Sequence, residues 1–348
     1  MSAREIIIPV FVPHLGCPND CVFCNQRRIS GKQNPASADD VRYAIESGIS
    51  RIGGKTTDRI QLAFYGGSFT AIPRQEQSNL LSAAKEYLVR GIIDSVRLST
   101  RPDAIDGEIL KRLKAYGVET IELGAQSLDD EVLALSGRGH TAADVEKASD
   151  LIKKSGYRLI LQMMTGLPGD TFEKSLETVK RIIALKPDGV RIYPTVVVKD
   201  TALYDLWKTG RYSEHSVEDA VELCSVILPM FKEAGIPVIR LGLNPTDELS
   251  SGVAVAGAYH PALGELVMSR IMRNLAETLL DEKGAECNGL SGKSVKIIVN
   301  SSDVSKMIGQ HKCNVNYLKE KFALSEVRIK SGECDEGRIR IILVENEN

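Results

Sequence analysis

Short strand-like runs alternate with helical patterns along most of this chain, and that alternation limits the folds open to it. β-Branched or aromatic runs at 6–12, 60–65, 95–99, 120–123, 158–164 and 189–193 each have the length and composition of a strand. Between them, residues 39–51, 75–91, 106–116, 142–156 and 172–185 carry helical spacing, and a longer helix is expected at 216–234. Ser37 or Asp39, Thr141 and Thr171 stand where N-caps belong. Gly117, Gly156 and Gly235 stand just past helix ends, where a left-handed residue stops the helix. A strand-helix unit repeated six times predicts an α/β fold with a parallel sheet wound right-handedly, extended by a strand at 238–241. The expected architecture is a full or partial (βα) barrel.

After about residue 285 the pattern changes. Residues 295–300 read as a strand, 303–308 and 314–322 as short helices, and 327–330 and 338–343 as strands, which predicts a small α+β domain. The expected division is a barrel at 1–245, a connecting segment with an amphipathic helix at 246–285, and a small domain at 286–348.

A chain of 348 residues, 43% hydrophobic and 26% charged, can bury a barrel-sized core and still carry such an appendage. Its net charge of −2 gives no global basic field. The N-terminal residues lack the charged-then-apolar layout of a signal peptide, and no apolar run approaches the ~20 residues needed to span a bilayer. A cytoplasmic protein without membrane contact is expected. Cys224, Cys287, Cys313 and Cys334 are scattered and read as packing residues rather than a disulfide framework.

In βα barrels the loops after the strands' carboxyl ends carry the chemistry. Cys17, Cys21 and Cys24 lie in the first such loop. Three thiolates at that spacing can cap three corners of an iron–sulfur cube, and the fourth iron then binds a small molecule through amino and carboxylate groups. Zinc held by the three thiolates and His14, or unligated core cysteines, are the alternatives that the residues alone leave open. Tyr65-Gly-Gly-Ser68, Gly124-Ala-Gln-Ser127 and Gly166-Leu-Pro-Gly169 follow later strands and converge on the same mouth. Gly66 and Gly67 permit close backbone approach to a ligand, whose ammonium group their carbonyls can accept. Arg138 can fork onto a carboxylate, and Gln126 can both donate to and accept from hydroxyls. A surface ion pair or a helix cap is the plainer role for that arginine.

The spacing Cys-x-x-x-Cys-x-aromatic-Cys, with Phe23 as the aromatic, resembles the radical S-adenosylmethionine (SAM) superfamily. That resemblance implies a [4Fe–4S] cluster on Cys17, Cys21 and Cys24. It also implies a SAM site built from Phe23, Gly66, Gly67, Ser68, Ser99, Gln126, Arg138 and Gln162. Ser68 and Ser99 depart from the pattern, standing where superfamily members often carry acidic residues. The segments 122–127 and 136–141 resemble the SAM-binding segment of oxygen-independent coproporphyrinogen oxidases and of the Elongator catalytic subunit. The stretch 191–212, with Phe64-Tyr-Gly-Gly-Ser-Phe-Thr70 and Thr100-Arg-Pro-Asp103, looks very like the latter family, over roughly residues 5–245. The family modifies the wobble uridine of tRNA with a 5′-deoxyadenosyl radical made by reductive cleavage of SAM. Its acetyltransferase domain would need more chain than follows residue 285, so acetyl-CoA use is not expected.

Residues 293–330 resemble a KH domain, which grips nucleotides with a Gly-x-x-Gly loop. Here the loop is Gly309, Gln310, His311 and Lys312, with lysine in the second glycine's place. That window holds eight Lys or Arg against three acidic residues, a balance that favours RNA contact over a purely structural cap. Tyr193, Lys199, Tyr259 and His260 are candidates for proton or radical relay, with turn or pocket roles as the alternative. The expected partners are tRNA or another RNA and an electron donor such as flavodoxin or ferredoxin. A small metabolite or peptide as substrate, and a non-catalytic metal-stabilised RNA-binding protein, are the competing readings.

Overall fold

A computed structural model describes residues 5–12, 21–24, 36–52, 59–243 and 252–344. The chain divides into two compact units, Met1–Ser216 with Met230–Tyr259, and Val217–Pro229 with His260–Asn348.

The first unit is built on seven parallel strands: β1 (Glu5–Val12), β2 (Arg59–Gly66), β3 (Ser95–Thr100), β4 (Val118–Gln126), β5 (Arg158–Thr165), β6 (Gly189–Pro194) and, completing the sheet, β8 (Val238–Leu241). They pair in the order β1-β2-β3-β4-β5-β6-β8, and the two end strands do not pair with each other, so the barrel is partial and open. Helices α1 (Ala38–Ile52), α2 (Arg74–Val89), α3 (Gly107–Ala115), α5 (Ala142–Lys154) and α6 (Phe172–Leu185) join successive strands, with a short α4 (Asp130–Leu135) before α5.

The strands alternate, with Ala63 and Ile160 as apolar residues on the otherwise polar phase. Leu62 and Phe64, Val96 and Leu98, Ile121 and Leu123, Leu159 and Leu161, and Val190 and Ile192 are buried on the helix-facing side. Each such side chain contributes roughly 1.5 to 3 kcal/mol relative to exposure. The residues between them, among them Gln61, Arg97, Thr120, Glu122 and Arg191, turn to the inner face and bond to one another there. A strand that buries both faces while keeping one polar needs this period-two pattern, since a slip of one residue would exchange the faces.

Helix starts follow local chemistry. Thr141 and Asp144 form a reciprocal capping box on α5, Thr171 accepts from Lys174 N–H, and Asp106 accepts from Ile109 N–H. Gly117, Gly156 and Gly235 all take positive φ, as their places past helix ends require.

Three features depart from the sequence reading. Strand β4 continues past residue 123 to Gln126, because pairing to β5 persists through a register shift between Gly124 and Gln126. Strand β7 (Val196–Val198) pairs antiparallel with β9 (Ala254–Gly257), a contact distant in sequence and without local signature. Short helices α4 and α7 (Ala202–Lys208) fall in stretches too brief to show periodicity.

The second unit takes in most of α8 (Val217–Glu233), whose Pro229 lies inside the helix, and then α9 (Leu263–Glu286). A three-stranded sheet follows, from β10 (Ser294–Val299), β11 (Glu326–Ser331) and β12 (Ile339–Val344), in the order β11-β10-β12. Helices α10 (Val304–Ile308) and α11 (Cys313–Lys321) connect β10 to β11, which run parallel. Met272, Ala276 and Leu280 of α9, Met307 of α10 and Leu318 of α11 close a core with Val295, Ile297 and Val299. Among the described residues no helix is long and apolar enough to cross a membrane.

Candidate active site

Cys21 and Cys24 belong to one turn after β1, closed by Cys24 N–H on the Cys21 carbonyl at 3.0 Å. Two further backbone bonds pin the turn: Val22 N–H to Ser136 O at 3.1 Å, and Leu203 N–H to Val22 O at 2.7 Å. Val22 and Phe23 pack against Val197, Leu203 and Tyr212, so the aromatic of the cysteine motif anchors the turn to α7 and β7. Cys17 and His14 lie outside the described residues.

Arg138 faces this turn. It is 7% exposed, and its guanidinium donates to the Cys21 sulfur at 3.2 Å and to the Gly124 carbonyl at 2.7 Å. The absence of a side chain at Gly124 is what allows this, since a Cβ there would stand 2.9 Å from Gln126 Nε2 and 3.2 Å from Arg138 Nη2. Gln126 itself holds a left-handed φ of 65° at the end of β4. Gly124, Gln126 and Arg138 thus form one close-packed group beside a cysteine sulfur.

Two neighbours keep that group in place. Arg101 forks onto Asp103 and donates to the Arg138 carbonyl at 2.5 Å. His140, 5% exposed, has Nε2 at 3.2 Å from the Ala125 carbonyl while its Nδ1 is buried without a partner. A carbonyl accepts only from a protonated ring nitrogen, which assigns the proton to Nε2. Burial, and then the Arg138 cation, push the imidazole down to about 4, so it is neutral at physiological pH.

The barrel's inner face carries a second group, centred on Glu122, whose side chain is 0% exposed. Its carboxylate accepts from Arg97 Nη1 at 2.8 Å, Arg191 Nη2 at 3.1 Å, Gln162 Nε2 at 2.8 Å and Tyr65 OH at 3.3 Å. Arg191 Nε adds an ion-pair contact at 3.0 Å that lacks hydrogen-bond alignment. Arg97 also reaches Glu5 at 3.0 Å, so an alternating row of charges runs along the inner face. Burial, and then Glu122, hold the Tyr65 phenol above its ordinary range; burial also raises Tyr193, beside Arg191. Both phenols stay protonated and available as donors.

The remaining candidates are placed as follows. Gly66 has φ 113°, and a Cβ there would stand 2.9 Å from the Val12 carbonyl, while Gly67 N–H donates to that same carbonyl at 3.0 Å. Ser68 is 1% exposed and engages Thr100 Oγ1 at 2.9 Å and Arg101 N–H at 3.1 Å. The Ser99 hydroxyl is buried without a hydrogen-bond partner. Gln162 spends its amide on Glu122. Lys199 is exposed at the end of β7, its N–H bonded to Val253 O at 3.0 Å. Tyr259 packs against Val196 and Val198 in the first unit, whereas His260 belongs to the second and accepts from Ala262 N–H at 3.1 Å. Gly309 to Lys312 form the turn between α10 and α11.

Glu122, Arg97, Arg101 and His140 were not singled out from sequence. For Glu122 and Arg97, polar residues at every second position of otherwise apolar strands, as in Ser95-Val-Arg97-Leu-Ser99, are the available signal; Arg101 and His140 lie in loops without one.

The residues fit an iron–sulfur cluster and SAM. The Cys21 and Cys24 thiols share one turn with a guanidinium beside the first, and the Ser99 hydroxyl is a buried polar atom without a partner. An open parallel half-barrel with such a turn after its first strand defines the class, and the family models agree. "Radical SAM superfamily" matches residues 11–182, and "Radical_SAM C-terminal domain" matches 187–273. The chain belongs to the radical SAM superfamily, and as such is an enzyme of [4Fe–4S] cluster and SAM chemistry.

Within that family it is similar to human Elongator complex protein 3, at 29% identity over 264 residues, covering 70% of this chain and 46% of that protein. The tRNA uridine(34) acetyltransferase of Methanocaldococcus infernus is 29% identical over 265 residues, with the same coverages. The chain therefore spans less than half the length of the curated relatives it matches. The solved archaeal Elp3 of Methanocaldococcus infernus superposes with a TM-score of 0.60 at 25% identity, over 82% of this chain and 64% of that one.

Proposed function

We propose that this radical SAM enzyme modifies tRNA at the wobble uridine. The observation that carries the reading is the extended similarity to a tRNA uridine(34) acetyltransferase over 265 residues, 70% of this chain. Cys17, Cys21 and Cys24 would hold the cluster, which would supply the electron for reductive cleavage of SAM.

The chain's own residues bind and orient. Arg138, held by Gly124 O and by Arg101 on its carbonyl, offers a buried fork to the SAM carboxylate. Gln126, at the end of β4, can donate to and accept from the SAM ribose hydroxyls, and the partnerless Ser99 hydroxyl offers a further donor. Gly66 lets β2 approach the Val12 backbone so closely that no side chain fits there, and Gly67 N–H ties the turn to the same carbonyl, leaving backbone carbonyls of the turn for the SAM amino group. Tyr193 stays protonated at the mouth, able to give a proton or hydrogen atom to the substrate. In the second unit, Gly309 to Lys312 grip the RNA backbone, a role supported by the positive φ of Gly309, His311 and Lys312, which bends the loop sharply. An external flavodoxin or ferredoxin delivers the electron.

The test compares the nucleosides of bulk tRNA, by mass spectrometry, from cells with and without the gene. Loss of one modified uridine supports the proposal; an unchanged nucleoside profile overturns it.

A further inference from the structure

Strand pairing in the second unit sorts its residues onto two faces. Val295, Ile297 and Val299 face the helices, and the alternate residues face away. On that outward face Lys296 lies directly across from Arg328, and Ile298 stands between Lys330 on β11 and Arg340 on β12. Four cations therefore occupy two adjacent cross-strand rows. Glu326 is the one acid among the outward strand positions, and it pairs with Arg328 at 2.7 Å. Lys296, Lys330 and Arg340 have no ion-pair partner among the described residues.

This arrangement costs the fold something. Like charges placed directly opposite on neighbouring strands are destabilising, and strands here lie about 4.8 Å apart. Ile342, across from Lys296, is 40% exposed, whereas Ile298, between Lys330 and Arg340, is only 7% exposed. In the loop joining β11 to β12, Glu336 lies 3.9 Å from Lys306, a partner outside the sheet.

We propose that this outward sheet face binds the phosphodiester backbone of the RNA substrate, as a contact separate from the Gly309 to Lys312 turn. It rests on the RNA reading above. A polyanion with closely spaced charges relieves the repulsion between Lys296 and Arg328 and gives the unpaired cations a partner, releasing counterions as it binds. Ile342 then lies against sugar or base surface.

The experiment measures binding of an unmodified tRNA transcript to the full chain across salt, for the parent and for a Lys296→Gln, Lys330→Gln, Arg340→Gln variant. Circular dichroism and the thermal midpoint verify folding, and single substitutions replace the triple variant should it not fold. The variant is expected to lose about tenfold or more in affinity near 0.1 M salt, with a log–log salt slope shallower by roughly 2 to 3. If the parent binds with a steep slope and the variant matches it, the sheet-face proposal falls while the proposed function stands. If the parent binds no tRNA at any salt, the RNA reading itself falls. Polyglutamate binding that drops more than tRNA binding in the variant would reassign the face to an acidic protein.

Discussion

Arg138 and Cys21, 117 residues apart in sequence, meet at 3.2 Å between a guanidinium nitrogen and a thiol sulfur. The contact ties the loop after β4 to the turn after β1. It places a buried cation beside a cysteine sulfur of the proposed cluster turn.

Arg138→Gln should weaken SAM binding by about 1.5 to 3 kcal/mol, the usual worth of a charged hydrogen bond, or roughly ten- to a hundredfold. Arg138→Lys should fall between parent and Gln, keeping the charge but losing the fork. Anaerobic equilibrium dialysis with labelled SAM, with iron and sulfide content measured in parallel, checks this. Equal affinities with equal cluster content would remove Arg138 from the SAM site.

Glu122→Gln should destabilise the first unit strongly. Arg97 and Arg191 would remain buried with their shared anion gone, a change that costs about 3 to 5 kcal/mol when one partner of a buried pair is removed. Urea unfolding followed by circular dichroism measures it, and a cost under about 1 kcal/mol would mean that the network relaxes around the amide.

His140 makes stability depend on acid in a defined window. Its folded value of about 4 lies below the ordinary 6.5, so above pH 6.5 the imidazole is neutral in both states and its contribution is fully present. As pH falls from 6.5 toward 4 the unfolded chain takes up a proton that the folded chain refuses, and stability declines by on the order of 3 kcal/mol over the whole range. His140→Gln should flatten the decline between about pH 6.5 and 5, read from urea midpoints, relative to the parent. Parallel slopes for the two proteins would contradict the neutral buried imidazole.

Gly309 and Lys312 should respond in opposite directions. At Gly309, φ is 75° and a Cβ would stand 2.6 Å from the Cys313 sulfur, so Gly309→Ala should cost about 1 to 3 kcal/mol. Lys312 holds φ 61°, which glycine adopts freely, so Lys312→Gly should be neutral or stabilising by up to about 1 kcal/mol while removing a cation. Chemical denaturation of the two variants decides between them. Destabilisation by Lys312→Gly would show that its side chain packs.

Much of the candidate site was legible because its motifs are local. The cysteine spacing, the glycine pair after β2 and the 136–141 segment between α4 and α5 each occupy a few consecutive residues. The Glu122 group was not legible, because its five members come from five strands. Nothing local distinguishes a glutamate that faces a barrel interior from one on a surface. Ser68 shows the reverse: its neighbours mark it as ligand-facing, yet its hydroxyl is engaged by Thr100 and Arg101 N–H.

The order of strands and helices, the caps at Thr141 and Thr171, and the cysteine turn were determined by the sequence alone, because periodicity, capping and turn chemistry act over a few residues. Tertiary structure alone decided that the sheet stays open, that β7 finds β9, and that Arg97 and Arg191 share Glu122. Those outcomes depend on which distant groups share a buried face, where an unpaired charge is costly and a partner must come from elsewhere in the chain.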